Sequence, residues 1–245
     1  LQCVALPQSH DPQLSLPGSW RQMADLPVAH WPVAQQPGVA SVQALARARM
    51  TQAGQLARRI DALANMDLRF LYDHQRDLFT IGYNATEHRP DAGFYDLLAS
   101  EMRLTNFVAI AQGQVPQDSW LALGRLLTSN AGVPVLLSWS GSMFEYLMPL
   151  LVMPNYPGTL LDQSCQAAVT RQIDHGKQLG LPWGVSESAY NALDSHLNYQ
   201  YRAFGVPGLG LKRGLGEERV VAPYASALAL MLAPAAACRN LVHLS

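Results

Sequence analysis

Three glutamates stand among predominantly apolar residues. Glu145 is the only charged residue between Arg125 and Asp162, and Glu187 the only one between Lys177 and Asp194. Glu101 falls in step with Phe94, Leu97, Leu98, Leu104, Val108 and Ala111, at the spacing of one helix face. A carboxylate among apolar side chains is costly, because burial disfavours the ionised form and raises its pKa. Groups kept in such places are candidates for chemistry. Two carboxyl groups facing one pocket are the minimum equipment for cleaving a glycosidic bond.

Each glutamate also has a structural reading. Glu101 could pair with Arg103 or Arg125 in the core; its chemical role is that of a general acid, with an apolar face holding its proton. Glu187 lies in Trp183-Gly184-Val185-Ser186-Glu187-Ser188-Ala189-Tyr190-Asn191, where Ser186 could simply cap a helix. Small neighbours leave its carboxylate accessible, as a nucleophile requires. Glu145 follows Ser138-Trp139-Ser140-Gly141-Ser142 and precedes Tyr146. Hydrogen bonding to sugar hydroxyls, or orienting another carboxylate, suits it better than direct catalysis.

Aromatic residues gather near these positions: Trp139, Tyr146, Trp183, Tyr190, Tyr199, Tyr201 and Phe204. A flat apolar face with a polar edge suits a sugar ring, which shows C–H groups on one side and hydroxyls around its rim. Other patterns fail. Gly205-Val206-Pro207-Gly208-Leu209-Gly210-Leu211-Lys212 lacks a lysine directly after its last glycine and a leading strand, so it reads as a sugar-site loop or a tight turn, not a phosphate loop. Ser138–Ser142 lacks the outer glycines of a nucleophile elbow. No His-Glu-x-x-His pattern occurs, and Cys3, Cys165 and Cys238 have neither metal nor disulfide spacing, so no metal and no cofactor is expected.

Composition agrees with a neutral ligand. Of 245 residues 49% are hydrophobic and only 14% charged, against about 25% charged in an average domain. The net charge is −1 and the pI near 6.7, which excludes an electrostatic case for nucleic acid or an anionic membrane. No signal peptide is expected from the first residues. Val135 to Met153 is the most membrane-like stretch, but Ser138, Ser140, Gly141, Glu145 and Pro149 interrupt it, so it is expected as a buried helix.

The elements that must hold these residues are mostly helical. Six prolines, at 7, 12, 17, 27, 32 and 37, mark residues 1–40 as a linker or extended arm, with the domain proper over 41–245. Ser41 to Ala64 reads as a helix. Leu68–Tyr72 and Leu78–Tyr83 read as a β-hairpin. Helices are expected from Phe94, near Pro116, near Ser142, and from Thr159, where Asp162 suggests a capping pair, to Gly180. Another begins at Pro223, and Pro234 either ends it or opens the next. Asp174 and His175 read as a solvated helix face, and Asn191 to Gly216 as a long loop. The class is all-α with a short hairpin.

Met66-Asp67-Leu68-Arg69-Phe70-Leu71-Tyr72-Asp73, Ile81-Gly82-Tyr83-Asn84 and Tyr95-Asp96-Leu97-Leu98-Ala99-Ser100-Glu101 resemble the glucoamylase-like domain of bacterial cyclic β-1,2-glucan synthases. Leu137 to Met153, Trp183 to Asn191 and Leu197 to Gly216 do so too. The resemblance implies an (α/α)6 toroid whose central cleft holds β-1,2-glucan and closes linear chains into rings by anomer-retaining transglycosylation. Related endo-β-1,2-glucanases hydrolyse instead, and a glucan-holding fragment without catalysis is a further alternative. By resemblance Glu101 is the acid/base and Glu187 the nucleophile. Trp139, Glu145, Tyr190, Asn191, Tyr199 and Tyr201 are then expected along the cleft, with Tyr146 and Trp183 beside them. It also implies covalently linked glycosyltransferase and phosphorylase-like domains, a place on the cytoplasmic face of the inner membrane, and further helices after Ser245 to close the toroid.

Overall fold

The computed structural model describes residues 18–31, 33–130, 132–217 and 219–245. Cys3 and the prolines at 7, 12, 17 and 32 lie outside the described residues. By its contacts the chain divides into two units, with the break between Met66 and Asp67 and not at residue 40.

The first unit is helical. Ser19 caps α1 (Trp20–Asp25) by accepting from the Gln22 amide, and 3-10 turns at Val28–His30 and Val33–Gly38 lead into α2 (Val39–Ala64). The described part of the expected arm is therefore mainly helical turns. Proline sets the backbone angle that a helical turn needs at its start, so a proline-rich stretch is not by itself an extended one. Met23, Ala24 and Trp31 bury themselves on Val39 and Ala46, while Arg47 and Gln43 of α2 donate to the carbonyls of Ala24 (3.0 Å) and Leu26 (2.8 Å).

The second unit opens with a hairpin, as expected, but a shorter one: Arg69–Leu71 is a 3-10 turn and Tyr83 belongs to another pair of strands. Strands β1 (Tyr72–Asp73) and β2 (Leu78–Thr80) pair antiparallel with Tyr72 opposite Phe79, and the Asp73 carboxylate closes the turn by accepting from the amides of Gln75 and Arg76. Strands β3 (Tyr83–Asn84) and β4 (Arg89–Pro90) form a second small hairpin. The next segment departs from expectation. Phe94–Tyr95 is a strand, β5, which pairs with β2, and Leu97 and Leu98 run on beside Gly124. Helix α3 starts only at Met102 and runs to Ala111. The apolar spacing of Phe94, Leu97 and Leu98 records burial, and strand pairing takes precedence over helical periodicity.

Helix α4 (Asp118–Ala122) leads to an unanticipated hairpin, β6 (Leu127–Asn130) with β7 (Val133–Leu136). Val135 and Leu136 are thus in a strand and not in a buried helix. After it come α5 (Met143–Leu147), a 3-10 turn at Met148–Leu151 and α6 (Leu160–Leu179). Thr159 caps α6 through the Asp162 amide, and Gly180 ends it in the left-handed conformation (φ 65°). The expected long loop contains a further hairpin, β8 (Ser188–Leu193) with β9 (Tyr199–Arg202). Helices α7 (Pro223–Ala229) and α8 (Pro234–Leu244) both begin on a proline, so Pro234 opens a helix. Among the described residues the fold is mainly helical, as expected, with four small sheets where one hairpin was expected. No helix among the described residues is long and apolar enough to cross a membrane.

The core of this unit joins α5, α6, α7 and β7 through Leu136, Met143, Leu147, Val169, Ala225 and Leu228. Burying a leucine-sized side chain contributes roughly 1.5–3 kcal/mol. His175 of α6 is buried as well, contrary to the solvated face expected, and burial followed by the nearby Arg171 charge lowers its proton affinity. The glycine-rich loop lies directly against residues 138–141, with Val206 donating to the Gly141 carbonyl and Lys212 to that of Trp139. A Cβ at Gly205 would come within 1.6 Å of the Ser140 oxygen, so only glycine permits this approach.

Candidate active site

Glu101 immediately precedes α3, at the turn where the chain leaves its extended path. Ser100 donates to its Oε2 at 3.3 Å and accepts from the Met102 amide at 3.1 Å. Neither expected arginine pairs with it. The buried Arg103 guanidinium donates to the carbonyls of Ser100 (2.9 Å), Glu145 (2.7 Å) and Tyr146 (2.5 Å). Arg125 donates to the carbonyls of Trp120, Leu121 and Leu123. Among the described residues the ion pairs are Arg69–Asp67, Arg89–Glu87 and Lys177–Asp174, so Glu101 has no such partner. Burial first, and then the negative charges of Glu145 and Glu187, hold its carboxyl above the ordinary value. A carboxyl so placed keeps its proton longer than a solvated one.

Glu145 is differently committed. It sits in the first turn of α5, only 5% exposed, in a capping box with Ser142. Its two oxygens accept six hydrogen bonds, from the amides of Trp139, Ser140 and Ser142 and the hydroxyls of Ser138, Ser140 and Ser142, at 2.5–3.1 Å. The carboxylate therefore serves as the hub of the 138–142 loop. It is a wall of the site, and hydrogen bonds to a ligand would compete with six already made.

Glu187 lies just before β8. Tyr201, on β9 opposite Ala189, donates to its Oε2 at 2.7 Å. Burial and then Glu187 itself push the Tyr201 phenol up, so it stays protonated and stays a donor. The Ser186 hydroxyl does not start a helix here: it accepts from the Phe144 amide (3.0 Å), and Tyr224 lies 2.7 Å from it and 2.8 Å from the Glu187 carbonyl.

These three glutamates share one cleft of about 320 Å³, walled also by Phe94, Tyr95, Leu97 and Ala203. Trp139 stands on its rim, 63% exposed. Tyr201 reaches it through Glu187. Two expected residues are core instead. Tyr146 is 1% exposed, with its hydroxyl 2.6 and 2.8 Å from the carbonyls of Leu136 and Leu209. Trp183 is buried between α6 and α8, its backbone held on both sides by the Asn240 amide group. Tyr190, Asn191 and Tyr199 belong to the β8–β9 hairpin and do not line the cleft; Tyr190 packs edge-on against Phe204 at 5.3 Å.

Sequence reasoning missed Tyr95, which faces both Glu101 and Glu187 closely enough that, after burial, their charges raise its phenol pKa. Reading Phe94–Leu97 as extended would have put Tyr95 and Leu97 on one face. Tyr224 carried no local signal.

The cleft thus brings together a carboxyl without an ion-pair partner, a second carboxyl held by a tyrosine, and a tryptophan on the rim. Residues 93–245 match the family described as putative glucoamylase, and the chain belongs to that family. It is also 52% identical over 184 residues to the cyclic beta-(1,2)-glucan synthase NdvB of Rhizobium meliloti (strain 1021), an alignment covering 75% of this chain. The chain spans only 6% of that relative's length.

Proposed function

We propose that the cleft cleaves and re-forms β-1,2-glucosidic bonds with retention of anomeric configuration, closing linear β-1,2-glucan into rings. The observation that carries this reading is the sharing of one cleft by Glu101, with its raised proton affinity, and Glu187, oriented by Tyr201. Tyr201 holds Oε2 of Glu187, which leaves Oε1 to attack the anomeric carbon. As that bond forms, the glycosidic C–O bond breaks and Glu101 gives its proton to the departing oxygen. A glycosyl ester on Glu187 results. Glu101, now a base, takes the proton from an incoming hydroxyl, whose oxygen displaces Glu187. When that hydroxyl ends the same chain, the product is a ring.

In this reading the helices belong to an (α/α)6 toroid completed by other parts of a larger synthase. Linked glycosyltransferase and phosphorylase-like domains at the cytoplasmic face of the inner membrane would supply and trim the glucan. Hydrolysis is the second reading, and the exposure of Trp139 favours it, because an open rim admits water as the acceptor.

Mass spectrometry of products from linear β-1,2-glucan decides between them. Rings lack one water relative to linear chains of equal length, and linear fragments alone would establish hydrolysis. Glu187→Gln in the intact protein should lower turnover by roughly a thousandfold or more while binding persists. Near wild-type turnover in that variant would remove Glu187 from the mechanism.

A further inference from the structure

The cleft has a neighbour. Ala203, which forms part of its wall beside Glu187, also lines a second recess of about 430 Å³ bounded by Arg202, Phe204, Lys212, Arg213 and Glu217. The Lys212 ammonium donates to the Ala203 carbonyl at 2.9 Å and its amide to the Trp139 carbonyl at 2.8 Å, so the ridge between the two recesses is fixed from both sides.

We infer that this recess is a remote subsite that receives glucosyl units of the chain whose reacting linkage lies at Glu101 and Glu187, an inference that rests on the β-1,2-glucan reading above. The chemistry of the lining fits such a guest. In a β-1,2-linked chain each inner glucosyl unit keeps neighbouring hydroxyls on C3 and C4. The guanidinium fork of an arginine presents two parallel N–H donors to such a pair of oxygens. Arg213 and Arg202 stand on the wall, and the half-buried Leu215 adds an apolar face for a sugar's C–H groups. Glu217 on the same rim can accept from hydroxyls. Gly214, in the left-handed conformation (φ 77°), turns the chain sharply between Arg213 and Glu217 and so brings both to one rim. Of the two sequence readings of the glycine-rich loop, such a subsite favours the sugar-site loop over the tight turn.

The test is the chain-length dependence of turnover by the intact protein, using linear β-1,2-glucans of graded length. Arg213 is exposed, so Arg213→Ala should fold with an unchanged melting temperature. The expected result is a fall of about tenfold in kcat/KM on long chains, from loss of charge-assisted hydrogen bonds, and a much smaller fall on the shortest substrate. Arg213→Lys should recover only part of the loss, since an ammonium lacks the fork. An equal fall at every length, or no fall at any, overturns the subsite while the glucan reading stands. Failure of the unmodified protein to bind or turn over β-1,2-glucan overturns both.

Discussion

Tyr201 donates a 2.7 Å hydrogen bond from β9 to the carboxylate of Glu187, the residue at the foot of the strand that pairs with β9. The hairpin therefore fixes both ends of this contact. Hydrogen bonds to charged groups contribute about 1.5–3 kcal/mol. Tyr201→Phe is expected to lower kcat by about 10- to 100-fold with little change in melting temperature, because the side chain is 63% exposed. An unchanged kcat would mean that the contact does not orient Glu187 for the proposed reaction.

Glu101 makes a prediction of opposite sign to the usual carboxylate. Its folded-state pKa is raised, first by burial and then by Glu145 and Glu187, so between the unfolded value, about 4.3, and the folded one the native state binds the extra proton. Stability is then lost as pH rises through that window. Glu101→Gln should raise the melting temperature near neutral pH, and the gain should vanish below the ordinary carboxyl range. Calorimetry across pH checks this; parallel curves for the two proteins would contradict it. In activity, kcat/KM should fall on the alkaline side as the acid loses its proton.

Gly205 and Gly113 provide a contrast in backbone tolerance. A Cβ at Gly205 would meet the Ser140 carbonyl oxygen at 1.6 Å, whereas at Gly113 (φ 68°) it would meet nothing within 4 Å. Gly205→Ala should destabilise by about 3 kcal/mol or more, because backbone must move. Gly113→Ala should cost only the left-handed strain, about 1–2 kcal/mol. Urea unfolding of both variants measures the difference, and equal losses would refute the close-approach account.

What was legible in the sequence was local chemistry. Ser142, Thr159 with Asp162, Gly180, Pro223 and Pro234 mark helix ends by caps and fixed backbone angles, and each stands at such an end in the structure. What depended on distant partners was hidden. Phe94–Leu98 has helical spacing but takes its conformation from β2 and Gly124, and Val133–Leu136 is apolar enough to suit either a strand or a buried helix. The same holds for the site. Isolated charge picked out Glu145 and Glu187, and apolar spacing Glu101, and the three meet in one cleft, but aromatic density could not separate Trp139 on the rim from Tyr146 and Trp183 in the core. Nor did it show that Glu145 is held by its own loop, because six donors converge there only after the chain has turned at Gly141.

Arg103 clasps three carbonyls at once: one just ahead of Glu101, the other two on α5. Glu101 and the serine-rich wall that shares its cleft are consequently moored to the same planar cation. A ligand that pushed on one would drag the other, whereas Glu187, held by the phenols of Tyr201 and Tyr224, does not share that mooring.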